Sequence, residues 1–250
     1  MLHQWIAVAL PGGLLERQTQ MNSVTIIGTG PIAHGLAVRM LHARCEVTIM
    51  GDDQKVQALV SVLGTEARGA HYGSPIEGTI IMLALSYPDI EPFVLKYGPQ
   101  LRGKIVVDVS NPVDTASFDR MLVPPGHSAA EHLSGLLGDQ TPVVKAFNTI
   151  PAAALQAGTV GGLPLDVFIA GDSDGAKAAV GRLAASAGMH PIDCGPLRRA
   201  RELEGIMLII LGLQARATDA SCTGAALKLL PNLCPAARHS APLPVSGVLG

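Results

Sequence analysis

The sequence predicts an α/β fold: a doubly wound parallel sheet, then a smaller C-terminal α/β lobe ending in a long helix. Three observations predict it. A short β-branched run at 24–27 ends in the turn Gly28-Thr29-Gly30-Pro31-Ile32-Ala33, and helix-compatible sequence follows to residue 43. Apolar strand-like runs then alternate with helix-like stretches, the pattern of a parallel sheet covered on both faces. After Pro196, Leu197, Ala200, Leu203, Glu204, Met207, Leu208 and Leu211 recur at helical spacing.

The glycine turn carries the most information. Gly28 permits a tight turn and Gly30 lets backbone approach a pyrophosphate. Small Ala33 lets the helix pack close to the strand, and the helix N-terminus aims free N–H groups and its positive dipole end at the anion. Pro31 suits the first helical turn, where its missing N–H costs nothing. This strand–turn–helix order predicts a Rossmann-type dinucleotide site.

The next strand, 46–50, leads into a polar helix start at Gly51-Asp52-Asp53-Gln54-Lys55. Residues 79–85 read as a strand apolar on both faces, and Pro88 opens a helix over 89–97. A strand at 104–109 is broken by Ser110-Asn111-Pro112; a helix at 128–137 and a strand at 142–147 follow. Beyond Pro151 come a glycine-rich loop at 158–164, a strand at 166–170, an alanine-rich helix at 176–187, a strand at 189–194 and the long helix. The expected organisation is a disordered extension at 1–20, a dinucleotide-binding domain at 21–151, a smaller substrate-side lobe at 152–230 and a loose Pro/Ser/Gly-rich tail at 231–250.

Bulk composition narrows the function. The 250 residues are 48% hydrophobic with a formal net charge of −2, and no basic stripe marks a nucleic-acid surface. The longest apolar run, 206–213, is under half of the ~20 residues a membrane-spanning helix needs. Cys45, Cys194, Cys222 and Cys234 are scattered and form no Cys-x-x-Cys pair, and the histidines show no ligand spacing, so no metal site is expected. Incidental thiols of this kind fit a reducing cytoplasmic setting.

Ligands of such sheets bind at the carboxyl ends of the strands. Asp52 and Asp53 stand where an acid bonds the adenine ribose; no Arg is nearby to hold a 2′-phosphate, and Lys55 offsets only part of the negative charge. These residues alone favour NAD, unless both aspartates simply cap the next helix. Leu85, Ser86 and Tyr87 end a strand where a nicotinamide lies, though Ser86-Tyr87 also reads as a turn before Pro88. Asn111 presents an amide at another strand tip, and Asp108 is either part of that tip or a satisfied structural acid. Lys145 precedes the tip at Asn148-Thr149, and its alternation with Phe147 assigns it to structure or charge pairing rather than catalysis.

Together these residues resemble the F420-dependent NADP oxidoreductase family over about 24–230. The turn at Gly28-Thr29-Gly30, the strand end at 108–112, residues 144–152, Gly171-Asp172 and the block from Pro191 through Gly195-Pro196-Leu197 to Ala200-Arg201-Glu202-Leu203-Glu204 carry the likeness. The resemblance implies an enzyme that moves hydride between the nicotinamide of NADP, with NAD as the alternative, and coenzyme F420 or a flavin-like co-substrate. It implies no side-chain acid or base, since the cofactors carry the chemistry. By position Asn148, Thr149, Ile150, Pro151 and Ala152 form the deazaflavin-side wall, Leu85 and Ser86 the nicotinamide side, and Leu208 closes the pocket. Family analogy also implies a homodimer. Two departures stand out: Gly51-Asp52-Asp53 replaces a Ser-Arg or Arg-Arg pair, and Asn148 replaces a His. Other readings are a non-enzymatic nucleotide sensor and an imine or hydroxy-acid reductase on a similar domain.

Overall fold

The computed structural model describes residues 22–216 and 225–230; the expected extension at 1–20 and tail at 231–250 lie outside them. The chain opens with β1 (Ser23–Ile27), α1 (Pro31–His42), β2 (Glu46–Gly51), α2 (Asp53–Leu63), β3 (Ala67–His71), β4 (Ile80–Leu83), α3 (Tyr87–Leu101) and β5 (Ile105–Asp108). It continues through α4 (Ala129–Leu137), β6 (Val143–Lys145), α5 (Ala152–Ala157), β7 (Thr159–Val160), β8 (Leu163–Pro164), β9 (Asp166–Gly171), α6 (Asp174–Ser186) and β10 (His190–Gly195). A 3₁₀ turn at Leu197–Arg199 leads into α7 (Ala200–Arg216).

One eight-stranded sheet runs in the order β10-β9-β6-β5-β4-β1-β2-β3. From β3 to β6 every neighbour is parallel, as the buried apolar strands predict. The chain moves outward from β1 to β3 and returns to β4 on the other side, so the strand order reverses between β1 and β4. A crevice opens at such a reversal, beyond the carboxyl ends of the strands.

The boundary expected at 151/152 is not a break in the sheet. β9 pairs antiparallel with β6 through Val144 and Lys145, and β10 adds in parallel to β9. Burial explains the continuity: β9 is buried at every position and needs cover on both faces. The loop expected at 158–164 forms a two-residue hairpin of β7 and β8.

Two apolar layers clamp the sheet. One gathers α1, α2, α5 and α6 around Ile26, Leu36, Ile49, Val144 and Leu155. The other sets α3 and α4 against Ile27, Leu83, Phe93, Val106 and Leu133. α1 and α5 pack through Gly35, where any Cβ would stand 2.6 Å from the Leu155 Cβ. Among the described residues no helix is long and apolar enough to cross a membrane.

Candidate active site

The glycine turn has the geometry the sequence requires. Gly28 adopts φ +122°, and a Cβ there would lie 2.3 Å from the Ala84 carbonyl oxygen, so only glycine fits. Its N–H donates to the Met50 carbonyl at 2.8 Å, which ties β1 to the tip of β2. Gly30 is the N-cap of α1, with extended backbone and no capping side chain. Nothing lies within 4 Å of where its Cβ would be. Pro31 lacks an N–H, so Ile32 and Ala33 supply the first-turn donors, and no side chain caps them. An uncapped helix start beside open space suits a phosphate group.

Two cavities meet at Gly30 and Pro31. One, of about 280 Å³, is walled by Ile32, Leu85, Ser86, Ser110 and Asn111. The other, of about 400 Å³, lies between α1 and α2 and is lined by Thr29, His34, Lys55 and Gln156. A further pocket of about 440 Å³ continues from Leu85 along α3 to Tyr72 and Tyr97. A larger cavity, about 560 Å³ around Arg44 and Arg68, sits at the amino ends of β2 and β3, the opposite edge from this crevice.

Asp52 and Asp53 are exposed at the tip of β2. Asp52 caps α2 by accepting the Lys55 N–H at 3.4 Å, a long bond, and Asp53 occupies the first turn. Capping thus accounts for Asp52, and Lys55 is the residue of this stretch that lines the crevice. Ser86 is the N-cap of α3; its carbonyl accepts the Asp89 N–H at 3.0 Å, and its hydroxyl, rather than capping the helix backbone, donates to the Asp89 carboxylate.

The second group of expected residues is built differently. Asn111 donates to the Asn148 carbonyl at 3.0 Å, and Asn148 donates its amide to Asn111 Oδ1 at 2.9 Å and to the Leu203 carbonyl of α7 at 3.2 Å. Asn148, Thr149 and Ile150 are at most 3% exposed, while Pro151, Ala152 and Leu208 are partly exposed. Asn148 therefore stitches β5, β6 and α7 together, and the partly open surface of this group belongs to the last three. Phe147, just before it, holds φ +63° while fully buried, the kind of non-glycine outlier that packing must enforce.

Behind this tip lies an ionic cluster. Lys145 is fully buried and donates to Asp108 Oδ2 at 2.8 Å, to Glu204 Oε1 at 2.7 Å and to the Ser110 carbonyl at 2.7 Å. All three ammonium protons are thus used, which removes Lys145 as a base. Burial works to lower its pKa, but the Asp108 and Glu204 carboxylates outweigh burial and hold it above the ordinary lysine range. Glu204 also accepts the Ala129 and Ala130 N–H groups at the start of α4. Burial pushes its pKa up against the pull of Lys145. The Ser110 hydroxyl is buried with no partner. Glu204 is the residue that sequence reasoning left without a role; its signal was an acid set among core-spaced Leu203 and Met207.

Comparison with known proteins fits this architecture. The family of coenzyme F420-dependent NADP oxidoreductases matches residues 23–112. The F420-dependent NADP reductase of Methanocaldococcus jannaschii is 30% identical over 209 residues, 76% of this chain and 90% of that protein. The rat metalloreductase STEAP3 is 33% identical over 200 residues, 80% of this chain but only 39% of its own length. A solved structure of a hypothetical protein from Sinorhizobium meliloti superposes with a TM-score of 0.64 at 28% identity, covering 72% of this chain and 88% of that one. The sheet order and the glycine turn define a Rossmann-type dinucleotide-binding fold. The chain belongs to the F420-dependent NADP oxidoreductase family.

Proposed function

We propose that this enzyme transfers hydride between NADP and coenzyme F420, both acting as substrates that meet in the crevice above β1, β4 and β5. The observation that carries the proposal is the uncapped start of α1 at Gly30, facing open space beside the strand-order reversal. In this reading Ile32 and Ala33 N–H groups hold the pyrophosphate, and Leu85, Ser86 and Asn111 border the nicotinamide. Pro151, Ala152 and Leu208 border the acceptor ring.

The transfer breaks the C4–H bond of the dihydronicotinamide and forms a C–H bond at deazaflavin C5; the acceptor takes its proton from water. No side chain needs to supply that proton. The protein's work is to stack two flat rings in contact and keep water from between them. Asp52 and Asp53 weaken the preference for the 2′-phosphate without abolishing it, with Lys55 offsetting them.

Mixing the protein with NADPH or NADH and oxidised F420 tests the reading by absorbance. Turnover with F420, faster with NADPH, is the expected result. Tight nucleotide binding without turnover on F420 would overturn the acceptor assignment.

A further inference from the structure

We infer that Asp108, Lys145 and Glu204 form a positioning and charge device for the nicotinamide end of the crevice, favouring the oxidised, cationic ring over the reduced one. The inference rests on the nucleotide reading above.

Position comes first. Asp108 Oδ1 accepts the Ser110 N–H at 2.9 Å, and Lys145 grips the Ser110 carbonyl. Both backbone polar groups of Ser110 are therefore fixed from behind, and Ser110 and Asn111 are themselves wall residues of the crevice. Asn111 is fixed again by Asn148. The partners come from β5, β6 and α7, elements far apart in sequence, so the wall is set by tertiary structure rather than by its own loop.

Charge comes second. Among the described residues every hydrogen-bond partner of the two carboxylates is a donor: Ser110 N–H and Lys145 for Asp108; Lys145 and the Ala129 and Ala130 N–H groups for Glu204. Neither carboxylate has an acceptor to receive a proton of its own; at Glu204 the Lys145 ammonium and the Ala129 N–H work against the burial and the Asp108 charge that raise its pKa. Two carboxylates and one ammonium leave one surplus negative charge, and the α4 N-terminus offsets about half of it. All three side chains are fully buried, where charge is poorly screened. Tyr87, the first residue of α3, feels them: after burial, Glu204, Glu91 and Asp108 raise its pKa. Oxidation turns a neutral dihydronicotinamide into a pyridinium cation, and a fixed negative charge one residue behind the wall stabilises that cation and not its precursor.

The test compares affinities for NADP⁺, NADPH and 2′,5′-ADP, which lacks the nicotinamide, in the wild type and in Glu204→Gln and Asp108→Asn. Each substitution removes one charge at nearly constant shape. The expected result is that NADP⁺ loses about fivefold or more relative to NADPH, as Coulomb's law at an intermediate dielectric implies, with 2′,5′-ADP unchanged. An unchanged NADP⁺/NADPH ratio, or equal weakening of all three ligands, would overturn the inference. The wild type provides a check that does not depend on either variant folding: it should bind NADP⁺ at least as tightly as NADPH, and about a tenfold preference for NADPH contradicts the device. Wild-type protein that binds none of the three would instead sink the nucleotide reading.

Discussion

The two sides of the crevice are built on opposite plans. At the β1–α1 turn, first-turn N–H groups are left without side-chain caps beside open space. At the β5 and β6 tips most polar groups are spent on one another, Asn111 on Asn148, Asn148 on Leu203, and Lys145 on Asp108, Glu204 and Ser110, while the Ser110 hydroxyl and Asn148 Oδ1 stay buried without a partner. The first side keeps donors free for a ligand, and the second uses them to hold a wall still. Binding capacity and rigidity thus come from different strand ends of one sheet, and substitutions on the two sides should fail in different ways.

The rigid side should show the largest effect on stability. Glu204→Ala leaves Lys145 and the α4 N-terminus short of a buried partner, so we expect a loss of about 3–5 kcal/mol in urea unfolding. A loss below about 1 kcal/mol, the level of a surface pair, would show that the cluster is solvated and the contrast false.

The open side should lose function and keep stability. Gly30→Asp meets no steric bar and supplies the missing cap, a gain of about 0.3 kcal/mol. Its carboxylate would also occupy the phosphate seat, so NADPH affinity should fall about 100-fold in calorimetry. Unfolding and binding measured on the same sample separate the two effects.

A smaller change should appear at the β2 tip. Replacing Asp52 with Ser keeps a capping hydroxyl, and replacing Asp53 with Arg adds a cation. Together they should raise the NADP/NAD affinity ratio about tenfold. An unchanged ratio means that neither residue faces the ribose.

The smallest effect lies far from the crevice. Burial would raise the Asp166 carboxyl, but Lys228, the Leu229 N–H and His190 together hold it below the usual carboxylate range. A lowered folded-state pKa means that its stabilisation is fully present above the unfolded value near pH 4 and is lost as pH falls through the folded one. Asp166→Asn should therefore cost about 1 kcal/mol at pH 7, and the gap to wild type should close in acid. A gap that persists at low pH would assign the loss to packing.

The same contrast governs what the sequence revealed. The open side was legible because its chemistry is local: Gly28, Gly30 and Pro31 carry backbone requirements within a few residues. The rigid side depends on partners that no spacing announces. Asn148 reads as an amide delivered to a ligand until Leu203, 55 residues away, takes one of its hydrogens. β3 escaped notice because Ala67-Arg68-Gly69-Ala70-His71 is a largely exposed edge with no apolar alternation. α5 is six residues long and holds through its contact with Gly35, which local propensity does not register. The strands beyond 160 were recognised, but their joining of the first sheet depends on the antiparallel pairing of β6 with β9, a tertiary choice.

Calorimetric titration of NADPH into the wild-type chain and Gly30→Asp tests the central claim most directly. Saturable single-site binding by the wild type, nearly lost in a variant that unfolds no earlier, is the predicted result. No heat with the wild type, or the same affinity in both proteins, would contradict a pyrophosphate seat at the start of α1.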